Sequence, residues 1–302
     1  MNKPTASLFL AGIVSTVTAF GQTIPFSSGR IACSSDGNEH DKDDWGATAA
    51  TLMIIASQNA QNKLAVYTHS DHIWGSSSVG DKAMQLSAEE CGKLFGFEAS
   101  NIISAVSDPT AAYHRMRDAI LASSASDPLT IIGAGPMHVI GTGLQLAREI
   151  DPEPLQYVLV ISHSKWNNRH ADNPYKWEKT QHTGWTWDEM VRHFTSDGVT
   201  FTKIADQNSG TSTTKGFSTR QAANGKSYWP TWYFLRDYSN QSPEINAAIQ
   251  FVYSRMEAST AADISDCGMA YYLFTGNEKG GPADLKAMLD NGFTAAEQIT
   301  TD

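Results

Sequence analysis

Five carboxylates and a histidine stand within nine residues of one another: Asp36, Glu39, His40, Asp41, Asp43 and Asp44. The apolar run Ile31-Ala32-Cys33 precedes them and an alanine-rich segment follows. Carboxylates held this close repel one another and raise one another's proton affinity unless a cation sits among them. A set of oxygen ligands suits a hard cation such as Ca²⁺, which takes about six to eight of them, better than a thiolate-seeking metal. A solvated acidic turn would have the same composition, but such turns rarely join an apolar strand to an apolar helix. The spacing therefore predicts a metal-binding or catalytic loop at a strand end.

The elements needed to hold that loop are readable on both sides of it. A strand ends at Ser35, a helix covers residues 46–61, and a buried strand covers 63–68. Ser87 and Glu90 have capping-box spacing and predict a helix start. Residues 109–123 predict a helix, 129–133 a strand, and 138–149 a helix after Gly135-Pro136-Met137-His138. Strands at 157–161 and 200–204 enclose a helix at 187–194, and further helices cover 244–256 and 265–276. Strands alternating with helices predict an α/β fold with a mostly parallel sheet flanked by helices. Residues 206–240 read as a long irregular region, which inside a compact domain is usually functional or covering.

Ligands of such sheets bind beyond the carboxyl ends of the strands. The residues placed there are Asp36 to Asp44, then His69, Asp71 and His72, then Gly135 to His138, then His163, Trp166, Asn167 and Asn168, and finally Asp206 and Asn208. Of these, His69, Asp71, His163, Trp166, Asn167, Asn168 and Asn208 are the expected substrate contacts. Trp166, Trp177, Trp185, Trp187, Tyr228, Trp229 and Trp232 crowd one stretch. Exposed indoles there would stack on sugar or base rings, and buried ones would fill the core. Gly133-Ala134-Gly135 lacks the third glycine of a dinucleotide fingerprint, and Pro136 removes an amide donor, so Rossmann-type nucleotide binding is not expected.

The chain has 302 residues and a net charge of −10, enough length for one large domain and no basic cluster to neutralise nucleic-acid phosphates. Lys3 and the small, apolar run from Ser7 to Phe20 read as a signal peptide over residues 1–21, leaving a single domain at 22–302. The expectation is a secreted or periplasmic protein, not membrane-bound after cleavage, and able to form a homo-oligomer. Cys33, Cys91 and Cys267 allow at most one internal disulfide, with buried free thiols as the default.

Taken together, the strand with Asp36 and the pair Asp43-Asp44, the Gly135-Pro136-Met137-His138 helix lead and the late Asp266 at a helix start resemble the calcium-dependent nucleoside hydrolase superfamily. The resemblance runs as an ordered series over most of the chain. It implies that Asp36, Asp44, a backbone carbonyl near His138, and Asp266 ligate Ca²⁺, that Asp43 grips a sugar hydroxyl, and that Asp36 takes a proton from the attacking water. The loop between Asp36 and Asp43 is longer than the family pattern, so Glu39 or Asp41 could replace Asp36. The family's histidine before the late Asp is Ser265 here, which leaves His69, His72 or His163 as the leaving-group acid. The expected function is hydrolysis of an N- or O-glycosidic bond in a nucleoside or other small sugar-containing substrate. The alternatives are a non-catalytic sugar-binding protein, or a polysaccharide-degrading hydrolase or lyase on the same fold.

Overall fold

The computed structural model describes residues 26, 28–37, 42–70, 78–135, 137–165, 168, 184–208, 216–220, 226–240 and 242–296. Its centre is β4 (Leu129–Ala134) beside β1 (Arg30–Asp36), both buried almost throughout, as strands covered on two faces are. On one side of β1 lie β2 (Leu64–Ser70) and β3 (Ile102–Ser104); beyond β4 lie β5 (Val158–Ser162) and β6 (Thr200–Lys203). The order is β3-β2-β1-β4-β5-β6 and every pairing is parallel, a Rossmann-like architecture. The chain first winds outward from β1 through β2 and β3 and then restarts on the other side with β4. The switch point is thus the gap between β1 and β4, where a crevice opens at the carboxyl edge.

Alternation along the strands sorts the core into two layers. Ile31, Cys33, Tyr67, Ile132 and Ile161 face α1 (Asp43–Ser57), α8 (Pro243–Ser259), α9 (Cys267–Thr275) and α10 (Pro282–Ala296). Ala32, Val66, Ile131 and Val160 face α4 (Pro109–Leu121), α5 (His138–Ile150) and α6 (Trp187–Phe194). Helix α1 is buried on every side from Trp45 to Ser57 and packs on α8, α9 and α10, which explains why its sequence is apolar all round. Its two solvent-side acids, Asp43 and Asp44, lie in the first turn, where the helix dipole favours negative charge.

Several expectations need correction. The Ser87–Glu90 spacing does not cap a helix. The helical run begins with α2 (Ser78–Gln85), widens into a π-turn at Leu86–Glu90, and continues as α3 (Cys91–Leu94). Ser87 is interior to it and accepts a hydrogen bond from the buried Arg255 at 3.0 Å. The irregular region gains a turn at Pro230–Trp232 and α7 (Tyr233–Arg236). Two short runs pin it: Thr219 donates its amide to the Ala262 carbonyl at 2.8 Å, and Trp232 Nε1 donates to Thr219 Oγ1 at 2.8 Å. Trp187 and Trp232 are core residues, whereas Trp166 and Trp177 lie outside the described residues. The three cysteines are buried free thiols. Residues 1–21, read as a signal peptide, also lie outside the described set, and no helix within it is long and apolar enough to cross a membrane.

Candidate functional site

Asp36 ends β1 at the switch point and is buried. Across the crevice, Gly135 follows β4 with φ +125°, a backbone region closed to ordinary side chains. A Cβ there would lie 1.9 Å from Asp36 Oδ1, so only glycine lets the β4 loop close on this carboxylate. Gly135→Ala should cost about 2–4 kcal/mol, combining backbone strain and overlap. Urea unfolding measures it, and a loss under about 0.5 kcal/mol would contradict the packing described.

The chain turns back immediately after Asp36. Gly37 donates its amide to the Ser70 carbonyl at 3.0 Å and accepts from Trp45 Nε1 at 3.0 Å. A Cβ on Gly37 would meet Asp44 Cβ at 2.9 Å, which puts the first turn of α1 directly against the strand end. Asp36, Asp43 and Asp44 are therefore held on one rim, as their spacing predicts. Asp43 Oδ2 lies 3.7 Å from Arg220 Nη1, an ion pair supplied by the irregular region.

The facing rim is the approach to α9. Asp263 is buried and accepts from Ser218 Oγ at 2.6 Å and from the Ser265 amide at 3.0 Å. Burial first, and then the charge of Asp43, push its carboxyl up to about 6 despite those bonds. Asp266 occupies the N-cap position of α9, and its Oδ1 accepts from His163 Nε2 in a short contact. Beneath both rims, Tyr67 is buried with Ser35 and Thr48, and burial followed by nearby negative charge, Asp266 included, drives its phenol far up.

His163 follows β5 and is buried with both ring nitrogens engaged. Nε2 meets Asp266, and Nδ1 takes the Gln207 amide at 3.3 Å with Asp206 Oδ1 at 3.7 Å. Burial opposes its proton, but the two carboxylates outweigh burial and lift it to about 9. In return the imidazole, more than any other neighbour, holds Asp206 down to about 2. Asn208 accepts from Ser265 Oγ at 2.8 Å and donates its amide to Asp206 Oδ1 at 3.0 Å. His163, Asn208 and Asp266 thus share one side of the crevice.

No protein-family model matches this chain, and no solved structure matches it. It is 27% identical over 271 residues to uncharacterized protein P22 of Formosa agariphila, with 84% of this chain and 86% of that protein covered. That name states no activity.

The remaining expected contacts divide. His69, next to the last residue of β2, is buried against Glu89, with Nε2 3.1 Å from Oε1. The imidazole of His138 accepts the Trp185 amide at 3.3 Å and meets the Tyr113 ring edge-on, so the side chain serves the α4–α6 layer. The carbonyl at that turn, on Met137, accepts the Gly141 amide at 2.9 Å. Asn168 donates its amide to the Lys165 carbonyl at 3.1 Å, and its Oδ1 is buried with no partner among the described residues. Asp71, Trp166 and Asn167 lie outside the described residues, as do Glu39, Asp41 and His72.

Asp263, Asp206 and Arg220 are site residues beyond the expected set. Asp206 was placed at a strand end by its position after 200–204, but its bond to His163 was not foreseeable. Asp263 offered one signal, an acid three residues before Asp266 and between the core residues Ala262 and Ile264. A cavity of about 560 Å³ lies elsewhere, at the far end of α1, with Asn59, Tyr271, Asp284 and Asn291 among its lining. It carries one carboxylate and sits at the amino edge of the sheet, so the crevice is the better site on chemical grounds.

The donors of the crevice fit a hard cation in type, being carboxylate oxygens, with Asp263 driven up first by burial and then by the charge of Asp43. Their spacing does not close a coordination shell: among the described residues, no group of three or more His, Cys, Asp or Glu side chains is arranged to hold a metal ion.

Proposed function

We propose that this chain is a metal-assisted hydrolase that cleaves a glycosidic bond in a nucleoside or another small sugar-containing molecule. The observation that supports it is the gathering of Asp36, Asp43, Asp44, Asp263 and Asp266 around one switch-point crevice, two of them buried. Asp36, Asp44 and Asp266 would hold Ca²⁺ through carboxylate oxygens by drawing together around it, since as they stand no three described acids are arranged about one ion. When bound, the ion would lower the pKa of a coordinated water and polarise sugar hydroxyls. Asp36 then takes the proton from the attacking water. Asp43, steered by Arg220, accepts a hydrogen bond from a sugar hydroxyl. The surrounding negative field stabilises positive charge developing at the anomeric carbon. The protein is exported, and its ligand is a small neutral sugar derivative and no nucleic acid.

Ser265 spends its hydroxyl proton on Asn208, so it is not the acid that protonates a leaving group. That favours one rival, a sugar-binding protein without turnover. One experiment separates the readings: melting temperature and turnover of nucleosides and neutral oligosaccharides, with calcium and with chelator. Calcium should raise the melting temperature by mass action and restore turnover lost to chelator. Chelator-insensitive stability and turnover would remove the metal, and affinity without turnover would establish the rival. Asp44→Ala and Asp266→Ala should each abolish calcium binding, while Glu39→Ala and Asp41→Ala lose less. Loss with Glu39→Ala but not Asp36→Ala would move the first ligand into the loop.

A further inference from the structure

Two buried histidines stand in one row across the carboxyl edge of the sheet. His69 pairs with Ser35, and Ser35 with Ala134, two positions beyond the last β4–β5 pair, Ile132 with Ile161, just as His163 is two positions beyond Ile161. By alternation all four side chains lie on the α1 face. The two histidines differ in what they touch. His163 has partners on both nitrogens, whereas His69 has Glu89 on Nε2 and a buried Nδ1 with no hydrogen-bond partner among the described residues. A buried polar atom left unsatisfied keeps its full desolvation cost, and such atoms in native proteins need a reason.

Glu89 reaches His69 from an unusual place. It belongs to the π-turn at Leu86–Glu90, and π-turns inside helices recur at functional sites. That turn is fixed from two sides. Arg255, buried on α8, donates to Ser87 Oγ at 3.0 Å and to the Ala83 carbonyl at 3.2 Å. Cys91 donates its thiol to the Ala49 carbonyl of α1 at 3.6 Å. The Glu89 side chain is about half exposed, so water could serve it as well as an imidazole does; the consequence of the contact falls on the histidine. One residue further along β2, Ser70 pairs with Asp36 and accepts the Gly37 amide, so His69 lies directly below the carboxylate rim.

We propose that Glu89 is a positioning residue: by accepting the Nε2 proton it holds His69 in a single tautomer, and the lone pair on Nδ1 is kept for a hydroxyl of a ligand in the crevice. The ligand class rests on the function proposed above; the tautomer does not. A carboxylate on one ring nitrogen dictates the state of the other, the usual way an imidazole is set for use.

The test is ¹⁵N spectroscopy of the histidine rings in the full chain, with His69→Gln assigning the signal. Wild type and Glu89→Gln should both show the Nε2-protonated form, since a glutamine oxygen still accepts. Glu89→Ala should raise the Nδ1-protonated fraction by at least about threefold, with the melting temperature moved by less than about 2 °C. Adding D-ribose should shift Nδ1 of His69 in the wild type. An Nδ1-protonated or doubly protonated ring in the wild type, or a tautomer unchanged in Glu89→Ala, would overturn the positioning role. Ribose that fails to bind, or binds without moving Nδ1, would remove the ligand role. Turnover that persists with the tautomer lost would refute the pair while sparing the proposed activity.

Discussion

Asp36→Asn should lower turnover of a glycosidic substrate by roughly 10²–10⁴-fold, the usual worth of a general base, with the fold intact. The substitution keeps shape and removes only charge and basicity. Because Asp36 is buried at the end of β1 against Gly135, an isosteric amide fits where a larger side chain would not. Removing one charge from a crowded acidic rim also relieves repulsion, so the melting temperature without metal should stay level or rise. Asp43→Asn should act differently, raising KM more than it lowers kcat, because a hydroxyl grip is felt in the ground state as well as the transition state. Asp284→Asn, in the cavity at the far end of α1, serves as the control and should change neither. A loss below about threefold for Asp36→Asn, measured on a substrate that wild type turns over, would end the base assignment.

The sheet was legible because its strands carry short, mostly apolar runs, such as Ile31 to Cys33 and Val158 to Ile161, and such runs between polar loops have few other uses. The carboxylate rim on α1 was legible for a related reason: Asp43 and Asp44 are local to the strand that presents Asp36. What escaped was decided at long range. Ser87 and Glu90 have the same spacing at a helix start and within a helix, and the interior outcome depends on Arg255, 168 residues away. Asp263 sits between two core residues and is made a site residue by Ser218, 45 residues earlier, and by Asp43 across the crevice. His138 was read from its place before a helix, but Trp185, 47 residues later, claims the imidazole. β3 is three residues long, too short for any periodicity to register.

The pairing of His163 and Asp266 has the same long-range character, 103 residues apart, and explains why these two expected residues belong to one unit. Either alone would be an awkward buried group. A neutral imidazole donating from Nε2 satisfies the Gln207 amide at Nδ1, while an imidazolium satisfies the two carboxylates but turns a proton toward that amide. The carboxylates are the stronger influence, since charge interacts over longer range than one 3.3 Å bond. Without a metal, the crevice therefore keeps a proton on His163 at neutral pH.

That proton carries a large pH dependence of stability, to be measured with chelator present. The folded-state value of about 9 lies above the ordinary 6.5 of an unfolded histidine. The stabilisation from the bound proton is therefore complete below pH 6.5 and is lost as pH rises through 9. A gap of this size corresponds to about 3 kcal/mol. Asp206 adds a smaller term of opposite placement: its folded value of about 2 lies below 3.8, so its contribution is present above pH 3.8 and lost as acid brings the pH down through 2. About half of that side chain is open to solvent, which screens it strongly. Urea unfolding between pH 6 and 10 should show stability falling by about 3 kcal/mol in the wild type. His163→Gln, neutral at every pH, should start lower and show little slope over that range. A wild-type profile as flat as that of His163→Gln would mean that the ring is already neutral at pH 6 and that the Gln207 amide, rather than Asp266, sets its state.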